Sequence, residues 1–203
     1  MNFSFKKTDN REKPTNENKE QSLFRDVRDI LVILAVFMVV YILFFRVVVV
    51  VGDSMYDTLV DGDRLLLISN VLYQNPKTGD VIVASKDSFR DGECIVKRVI
   101  ATEGQTVDID FINGIVYIDG EALDEPYVHS LTCNQEGTSF PLTVAEGCIF
   151  VMGDNRAESL DSRSPSIGQI DKREILGKAI LLLFPGDDEG EVERNFGRIG
   201  GVG

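Results

Sequence analysis

A single apolar run near the N-terminus constrains this chain more than any other feature of its sequence. Sixteen consecutive apolar residues extend from Ile30 to Phe45, and Arg46 is the only polar residue before Val51. As a helix, a segment of this length spans the roughly 30 Å hydrocarbon core of a bilayer. A cleavable export signal would be shorter and would precede a small-residue Ala-x-Ala site, which does not follow here. We therefore expect a transmembrane anchor over residues 30–46, in preference to an export signal or a buried core helix.

The residues that flank the apolar run indicate its orientation. Residues 1–29 are polar and carry almost no aliphatic side chains before Leu23, which predicts a disordered tail. Seven Lys and Arg residues precede the run, whereas Arg46 alone follows it closely. Because positive residues favour the cytoplasmic side, we expect a single-pass plasma-membrane protein with a cytoplasmic N-terminus and an extracytoplasmic remainder.

Short alternating apolar runs, separated by turn residues, follow the anchor and predict a mainly antiparallel β domain over residues 47–186. Asn113-Gly114 lies between two such runs and predicts a hairpin with a type I′ turn. The acidic and glycine-rich residues 187–203 predict a flexible tail. The predicted strands are Val47–Val51, Arg64–Ser69, Asp80–Ser85, Cys94–Ala101, Thr106–Ile112, Ile115–Ile118, Cys148–Met152 and Ile175–Phe184.

Charge and cysteine content exclude several classes of function. The net charge is −12, and residues 1–29 contribute +1, so the rest of the chain carries −13 and repels nucleic acid. Cys94, Cys133 and Cys148 have no CxxC spacing, and the chain has a single histidine, so no metal site is predicted. The spacing leaves open whether Cys133 and Cys148 form a disulfide.

Ser54 is the first candidate for covalent chemistry. It follows the valine strand in Gly52-Asp53-Ser54, where a strand end beside a glycine can expose a hydroxyl and a backbone N–H to a substrate carbonyl. An ordinary turn would have the same composition, so this motif alone does not identify a nucleophile. A serine nucleophile also needs a base.

Lys97 and His129 are the two candidate bases. His129 lies in a loop after Pro126 and Tyr127, where a solvated histidine is common. Lys97 lies in a strand whose period of two places it on one face with Ile95 and Val99. An apolar setting lowers the pKa of a lysine and favours the neutral form that can accept a proton.

A third polar segment, Gly153 to Arg163, follows the strand Cys148–Met152 and reads Gly-Asp-Asn-Arg-Ala-Glu-Ser-Leu-Asp-Ser-Arg. So many short polar side chains in succession are compatible with a solvated turn. At the end of a strand, however, they suit a hydrogen-bonded network that supports a site.

Together these segments resemble the bacterial type I signal peptidases, also called leader peptidases, a family of Ser-Lys dyad proteases. Ser54-Met55-x-x-Thr58-Leu59 is similar to the nucleophile motif of the family, and Lys97-Arg98-Val99-Ile100 to its lysine motif. Gly79 to Val83 is similar to the strand between them, and Gly153 to Arg163 to the family's last motif. The motifs occur in the family's order behind an N-terminal anchor.

The resemblance implies a membrane-bound serine endopeptidase that removes signal peptides from exported proteins, with small residues at positions −1 and −3. It implies that Ser54 is the nucleophile, that Lys97 is the base, and that no cofactor or metal is needed. As supporting residues it implies Ser159, which orients the lysine, and the pairs Asp154 with Arg98 and Asp161 with Arg163. The substrate would lie beside Val48 and Val50, which share a strand face with Ser54, with Leu59 and Val96 completing the pocket walls.

The sequence departs from the family pattern at two positions. Asp57 occupies the usual place of a proline, and Gly52 replaces a serine that helps bind the oxyanion in some members. We therefore expect backbone N–H groups, chiefly that of Ser54, to form the oxyanion hole. Asp57 also suggests an alternative, a specialised or weakly active relative that serves surface-fibre assembly. A cytosolic Ser-Lys self-cleaving repressor and an anchored adhesion module agree less well with the anchor and with Lys97.

The predicted topology is testable in intact cells. External protease added to protoplasts should digest the β domain and leave a tag at Met1 intact on an immunoblot, because only the β domain is outside. Lysed protoplasts, in which the tag should also be lost, are the control. Protection of both ends in intact protoplasts would contradict this orientation.

Overall fold

The computed structural model describes residues 16–86, 93–186 and 194–202. Within these ranges the chain divides into an N-terminal helical unit that ends at Leu43 and a β domain that begins at Phe44. One long apolar helix precedes a series of antiparallel strands. The predicted fold class, mainly antiparallel β with an N-terminal apolar helix, is confirmed.

The helix α1 extends over Asn16–Phe44. Its part from Leu23 to Phe44, 22 residues, is long and apolar enough to cross a membrane and is not buried in the protein. The prediction of disorder up to residue 29 is therefore wrong for residues 16–29. Their Glu, Lys, Gln and Arg residues are good helix formers, and neither Pro nor Gly interrupts the helix. Residues 1–15 lie outside the described residues.

The strands of the domain form two antiparallel sheets. They are β1 Phe45–Val49, β2 Arg64–Ser69, β3 Val81–Ser85, β4 Cys94–Thr102, β5 Thr106–Asp110, β6 Ile115–Ile118, β7 Glu121–Ala122, β8 Leu142–Thr143, β9 Cys148–Met152, β10 Ile170–Asp171, β11 Ile175–Phe184 and β12 Gly200–Gly201. The larger sheet has the order β1-β2-β11-β3-β4-β9-β10, with β12 also paired to β11, and the smaller sheet has the order β7-β6-β5-β8.

Most strands agree closely with the alternation in the sequence, and two local predictions are corrected. The first strand begins at Phe45, before the predicted Val47, and it ends at Val49. The β5–β6 hairpin forms, but Asp110 pairs with Ile115 across four loop residues, and only Gly114 of the loop has a positive φ. The turn is therefore not type I′. The carboxylate of Asp110 stabilises the longer loop by accepting hydrogen bonds from it.

Two regions of the core determine where the site forms. Met55 and Leu59, which follow the candidate nucleophile, are fully buried against Leu65 and Leu67 of β2. This packing fixes the segment after Ser54 on the large sheet, because burying two such side chains stabilises the segment by several kcal/mol, about 2 kcal/mol each. Elsewhere Phe150 of β9 packs in a cluster that includes residues of the smaller sheet and joins the two sheets.

Residues 194–202, which the sequence predicted to be flexible, are folded against the domain. A 3-10 turn forms at Phe196–Arg198, and β12 pairs with Leu181 and Leu182 of β11. Val202 then enters the same core cluster as Met55. The glycine content suggested flexibility, but here two glycines form a short strand. Residues 187–193 lie outside the described residues.

The close pairing of β11 with β2 provides a stability test. A Cβ atom at Gly177 would collide with the carbonyl oxygen of Ile68 on the neighbouring strand, where backbone atoms cannot easily move. We expect Gly177→Ala to lower the free energy of unfolding by roughly 2–4 kcal/mol, measured as a lower melting temperature in detergent. Gly200→Ala is the control, because nothing lies within 4 Å of its added Cβ. Equal melting of both variants and the parent would contradict this packing.

Candidate active site

The segment that carries Ser54 is held by backbone contacts on both sides. Before it, the Val50 N–H donates to the Asp63 carbonyl at 2.8 Å, and the Gly52 N–H donates to the Asp61 carboxylate at 2.7 Å. Gly52 has a φ of +84°, a conformation that a residue with a Cβ rarely adopts, and it turns the chain at the end of β1. The Ser54 carbonyl in turn accepts a hydrogen bond from the Asn155 N–H.

Lys97 lies directly against Ser54. The lysine Nζ is 2.6 Å from the Ser54 Oγ, and the lysine is only 4% exposed. The strand β4 is buried on both faces at this point, so consecutive residues on opposite faces, Lys97 and Arg98, are both buried. Lys97 is on the face that contains Ser54. The register between β4 and β3 pairs Lys97 with Ile82 and Arg98 with Val81. This register fixes the position of both side chains along the strand.

Burial lowers the pKa of Lys97 from its ordinary value of 10.5 to about 8. The main cause is loss of hydration, which disfavours the charged amine. The nearby carboxylates of Asp161 and Asp154 act in the opposite direction, whereas the positive charge of Arg163 assists the lowering. Much of the amine is therefore neutral in mildly alkaline solution, and it then has a lone pair beside the serine hydroxyl.

Arg98 and Asp154 form a buried ion pair beside the site. The Arg98 Nε and Nη2 donate to the two Asp154 oxygens at 2.8 and 2.7 Å, which is the strong bidentate geometry. The Thr58 hydroxyl donates to the same carboxylate at 2.6 Å. Arg98 also lies over the ring of Tyr127, 3.9 Å from its centroid. The pair thus connects the segment after Ser54 to the polar segment after β9.

Asp161 and Arg163 form a second buried pair. The Arg163 Nε and Nη2 each lie 2.9 Å from an Asp161 oxygen, and both side chains are fully buried. Asp161 also accepts the Gly153 N–H at 3.0 Å, and Arg163 donates to the carbonyl oxygens of Arg156 and Ser159. The two side chains close the segment from Gly153 to Arg163 into one network.

Ser159, which the resemblance implies orients the lysine amine, lies beside the nucleophile. A Cβ atom on Gly153 would collide with both the Ser159 hydroxyl and the Ser54 carbonyl oxygen, so the three residues are in close contact. The Ser159 Oγ is buried and has no hydrogen-bond partner among the described residues. Its orientation of the Lys97 amine therefore stays a prediction.

His129, the other candidate base, forms its hydrogen bond with Asp57 and not with Ser54. Its Nδ1 lies 3.0 Å from the Asp57 carboxylate, and the side chains of both residues are substantially exposed, 43% and 65%. The ring also contacts Tyr56 edge to face, with centroids 5.0 Å apart. Asp57, the residue in place of the family's proline, therefore pairs with the histidine at the surface.

A cleft of about 570 Å³ opens beside Ser54 and Lys97. Three of the predicted substrate-binding residues line it, Val48, Val50 and Val96. The fourth, Leu59, does not line the cleft, because it is buried in the core beneath Val50. Val49 and Val51 line the cleft as well, so the period of two along the valine strand does not by itself separate the pocket wall from its neighbours or from the core behind it.

The sequence reasoning missed several polar residues of the network. Arg156 is buried, and it donates to Glu125 and to the Thr132 hydroxyl. Glu136 lies 3.3 Å from Arg163, and its own burial raises the pKa of its carboxyl group. Arg156 belongs to the polar segment after β9, and this position could have predicted its place in the hydrogen-bonded network. Glu136 lies in an irregular loop that gives no periodic signal.

Comparison with known proteins identifies one family of similar chains. The family described as "Signal peptidase, peptidase S26" matches residues 23–184. A signal peptidase I of Bacillus licheniformis is 35% identical over 83% of this chain and 92% of its own length. A probable signal peptidase I-1 of Synechocystis is 37% identical over 70% and 72%. The crystal structure of a signal peptidase I from Enterococcus faecalis is 30% identical, with a TM-score of 0.43 over 51% of this chain and 96% of that one.

The two polar supports beside Ser54 should behave differently when they are removed. Asp161→Ala leaves the fully buried Arg163 without its main partner, and we expect a loss of about 3–5 kcal/mol of stability, seen as a lower melting temperature. Ser159→Ala should melt within a few degrees of the parent, because its hydroxyl makes no hydrogen bond within the described part of the chain.

Asp171→Ala is the matched control for Asp161→Ala. Asp171 pairs with Arg173 at the same spacing and with the same bidentate geometry, but the arginine side chain is 90% exposed. Exposed pairs contribute little, and loss of the N-cap that Asp171 also provides to the turn at Lys172–Glu174 costs about 1 kcal/mol, so this variant should melt much closer to the parent than Asp161→Ala does. If Asp161→Ala and Asp171→Ala lowered the melting temperature equally, burial would not be what makes the Asp161 pair important.

Proposed function

The chain belongs to the signal peptidase family, peptidase S26, and on that premise we propose that it removes signal peptides from exported proteins with Ser54 as nucleophile and Lys97 as general base. It is a serine peptidase by family. The observation that carries the proposed dyad is the 2.6 Å contact between the Lys97 Nζ and the Ser54 Oγ. A base must be within hydrogen-bond reach of the proton that it removes, and this distance satisfies that condition.

In the proposed reaction, neutral Lys97 accepts the Ser54 proton as the Oγ attacks the scissile carbonyl carbon. The protonated amine then gives that proton to the leaving amine of the mature protein, which leaves an ester between Ser54 and the signal peptide. Lys97, neutral again, takes a proton from water as the water oxygen attacks the ester carbonyl carbon. The protonated amine then returns this proton to the leaving Ser54 Oγ, and the signal peptide is released with a free carboxyl group. The Ser54 backbone N–H is the expected donor to the oxyanion, since Gly52 has no hydroxyl to offer.

The strands around the cleft support an extended substrate. Among the described strands, β1 is at the edge of the large sheet, and β9 pairs with β4 only from Arg98 onward, so no described strand pairs with the first residues of β4 on that side. An extended peptide that adds to such an edge presents every second side chain to the cleft. Val48, Val50 and Val96 line this space, which supports the preference for small residues at −1 and −3.

The surroundings of Asp57 favour an active peptidase over the specialised relative serving surface-fibre assembly. The Asp57 carboxylate is exposed and bonded to His129, whereas the Ser54 hydroxyl is bonded to Lys97. A surface charge of this kind is well screened by solvent and weakly affects a buried base. We further propose that the helix α1 anchors the enzyme in the plasma membrane, with the catalytic domain on the outer side, where exported substrates emerge.

The proposed activity predicts cleavage of a synthetic signal peptide with Ala at −1 and −3 by the full-length protein in detergent. Ser54→Ala and Lys97→Arg should each lower kcat/KM by roughly a thousandfold or more, because arginine keeps the charge but remains protonated and cannot serve as a base. Mass spectrometry of the products identifies the cleaved bond, and a peptide with Leu at −1 tests the size preference. Near-parental cleavage by folded Lys97→Arg would exclude Lys97 as the base.

The pH dependence gives a separate test of the dyad. If the neutral amine of Lys97 is the active form, kcat/KM should rise with pH with a midpoint of about 8, the lowered pKa of this residue, and level off at higher pH. The profile is measured over about pH 6–11.5, and the melting temperature is recorded at each pH to separate activity from unfolding. A midpoint near 10.5, the ordinary pKa of lysine, would contradict a buried, neutral base.

A further inference from the structure

Asp63, outside the dyad and its supports, is a buried carboxylate with an unusual set of donors. It is fully buried, and its two oxygens accept hydrogen bonds from the Val60 and Gly186 N–H groups at 2.9 and 2.7 Å. Among the described residues, the charged donors to Asp63 come from Arg198 alone, with Nη1 and Nη2 at 3.0 and 2.7 Å from the two oxygens. A buried carboxylate needs such a counter-charge, because its hydration is lost.

Arg198 reaches Asp63 from the C-terminal segment 194–202. Val202 anchors this segment in the core cluster that also contains Met55 and Leu59, the two apolar residues after Ser54. The Phe196 ring packs edge to face on Phe184, with centroids 5.6 Å apart. The segment is therefore a folded part of the domain, and the family match ends before it, at residue 184.

The same arginine also contacts the segment that follows the nucleophile. The Arg198 Nη2 lies 3.3 Å from the Thr58 carbonyl oxygen, and the Thr58 hydroxyl donates to Asp154 at 2.6 Å. One face of Thr58 is thus held by the C-terminal segment and the other by the buried Arg98–Asp154 pair. Thr58 and Asp63 lie on either side of the turn that returns the chain from Ser54 to β2.

We propose that Arg198 is a positioning residue for the peptidase reaction, which holds the segment from Ser54 to Asp63 through the Asp63 carboxylate and the Thr58 carbonyl. The inference rests on the proposed function, since it concerns the placement of Ser54 against Lys97. Loss of the guanidinium leaves the Asp63 carboxylate buried with two neutral donors. The segment must then move to hydrate this charge, and the Ser54–Lys97 contact lengthens.

The chemical step should be more sensitive to this movement than substrate binding. Val48 and Val49 on the cleft side are held by their pairing with Leu65 and Arg64 on β2, and Arg198 is not part of that pairing. A small displacement of a nucleophile from its base, by contrast, strongly lowers the rate. Water that reaches Lys97 also restores its hydration and raises its pKa toward the ordinary value.

The test compares the parent, Arg198→Ala, Arg198→Lys and the control Arg173→Ala, all as full-length proteins in detergent and well below their melting temperatures. We expect Arg198→Ala to lower kcat at least tenfold with KM within threefold, and to shift the rise of kcat/KM to higher pH. Arg198→Lys should recover part of kcat, because an ammonium group keeps the charge but loses the bidentate geometry. Arg173→Ala should match the parent.

Hydrogen exchange of the amides from Met55 to Val60 provides a readout that does not depend on activity. Faster exchange there in Arg198→Ala, together with the lower kcat, supports the positioning role. Unchanged exchange, or faster exchange with parental kcat and pH profile, overturns it. A uniform fall in kcat that only follows the folded fraction also overturns it. If the parent itself does not cleave the peptide, the proposed function fails. Hydrogen exchange does not depend on cleavage, so it distinguishes this outcome from failure of the positioning role.

Discussion

The contact between a buried lysine amine and a serine hydroxyl is the interaction on which the rest of this site depends. Lowering the pKa of Lys97 from 10.5 to about 8 corresponds to about 3 kcal/mol that the fold must supply. The lysine binds its proton more tightly in the unfolded chain than in the folded one, so burial of this amine destabilises the fold. This loss of folding free energy is fully present below about pH 8 and disappears as the pH rises to about 10.5. The core around β4 supplies this energy, since Lys97 lies in a strand that is almost wholly buried.

Among the residues that the structure describes, Lys97 is the only buried cation without a carboxylate bonded directly to it. Arg98, Arg156 and Arg163 are buried, and each is paired with an acidic side chain. These arginines hold the segments that surround the lysine, and their partners neutralise them locally. The amine therefore experiences mainly loss of hydration, partly opposed by the more distant Asp161 and Asp154 carboxylates. A carboxylate in contact with the amine would hold the proton and prevent its use as a base.

Some of this arrangement could be predicted from the sequence, and the reasons are local. Alternation of apolar side chains predicted strands such as β2 and β11, because each buries every second residue against the core. The proximity of Ser54 and Lys97 was predicted from the resemblance of their motifs to those of the family. The period of two along a strand shows which face a side chain is on, but it does not show which distant residue that side chain contacts. The resemblance implies Leu59 in the pocket wall, whereas the residue packs in the core, and no local sequence pattern distinguishes a residue in the cleft from one behind it. The C-terminal segment was missed for a similar reason: Arg198 finds its partner, Asp63, far along the chain, and glycine-rich composition says nothing about such a contact.

The most direct test of a neutral lysine base is a measurement of its own titration. With ¹³C-labelled lysine in the full-length protein in detergent, the Cε resonance of Lys97, assigned by its loss in Lys97→Arg, reports the protonation of the amine as a function of pH. Buried contact with Ser54 predicts a midpoint of about 8, well apart from that of the exposed lysines. A midpoint near 10.5 would mean that the amine is solvated and charged at working pH, and it would contradict this account of the site.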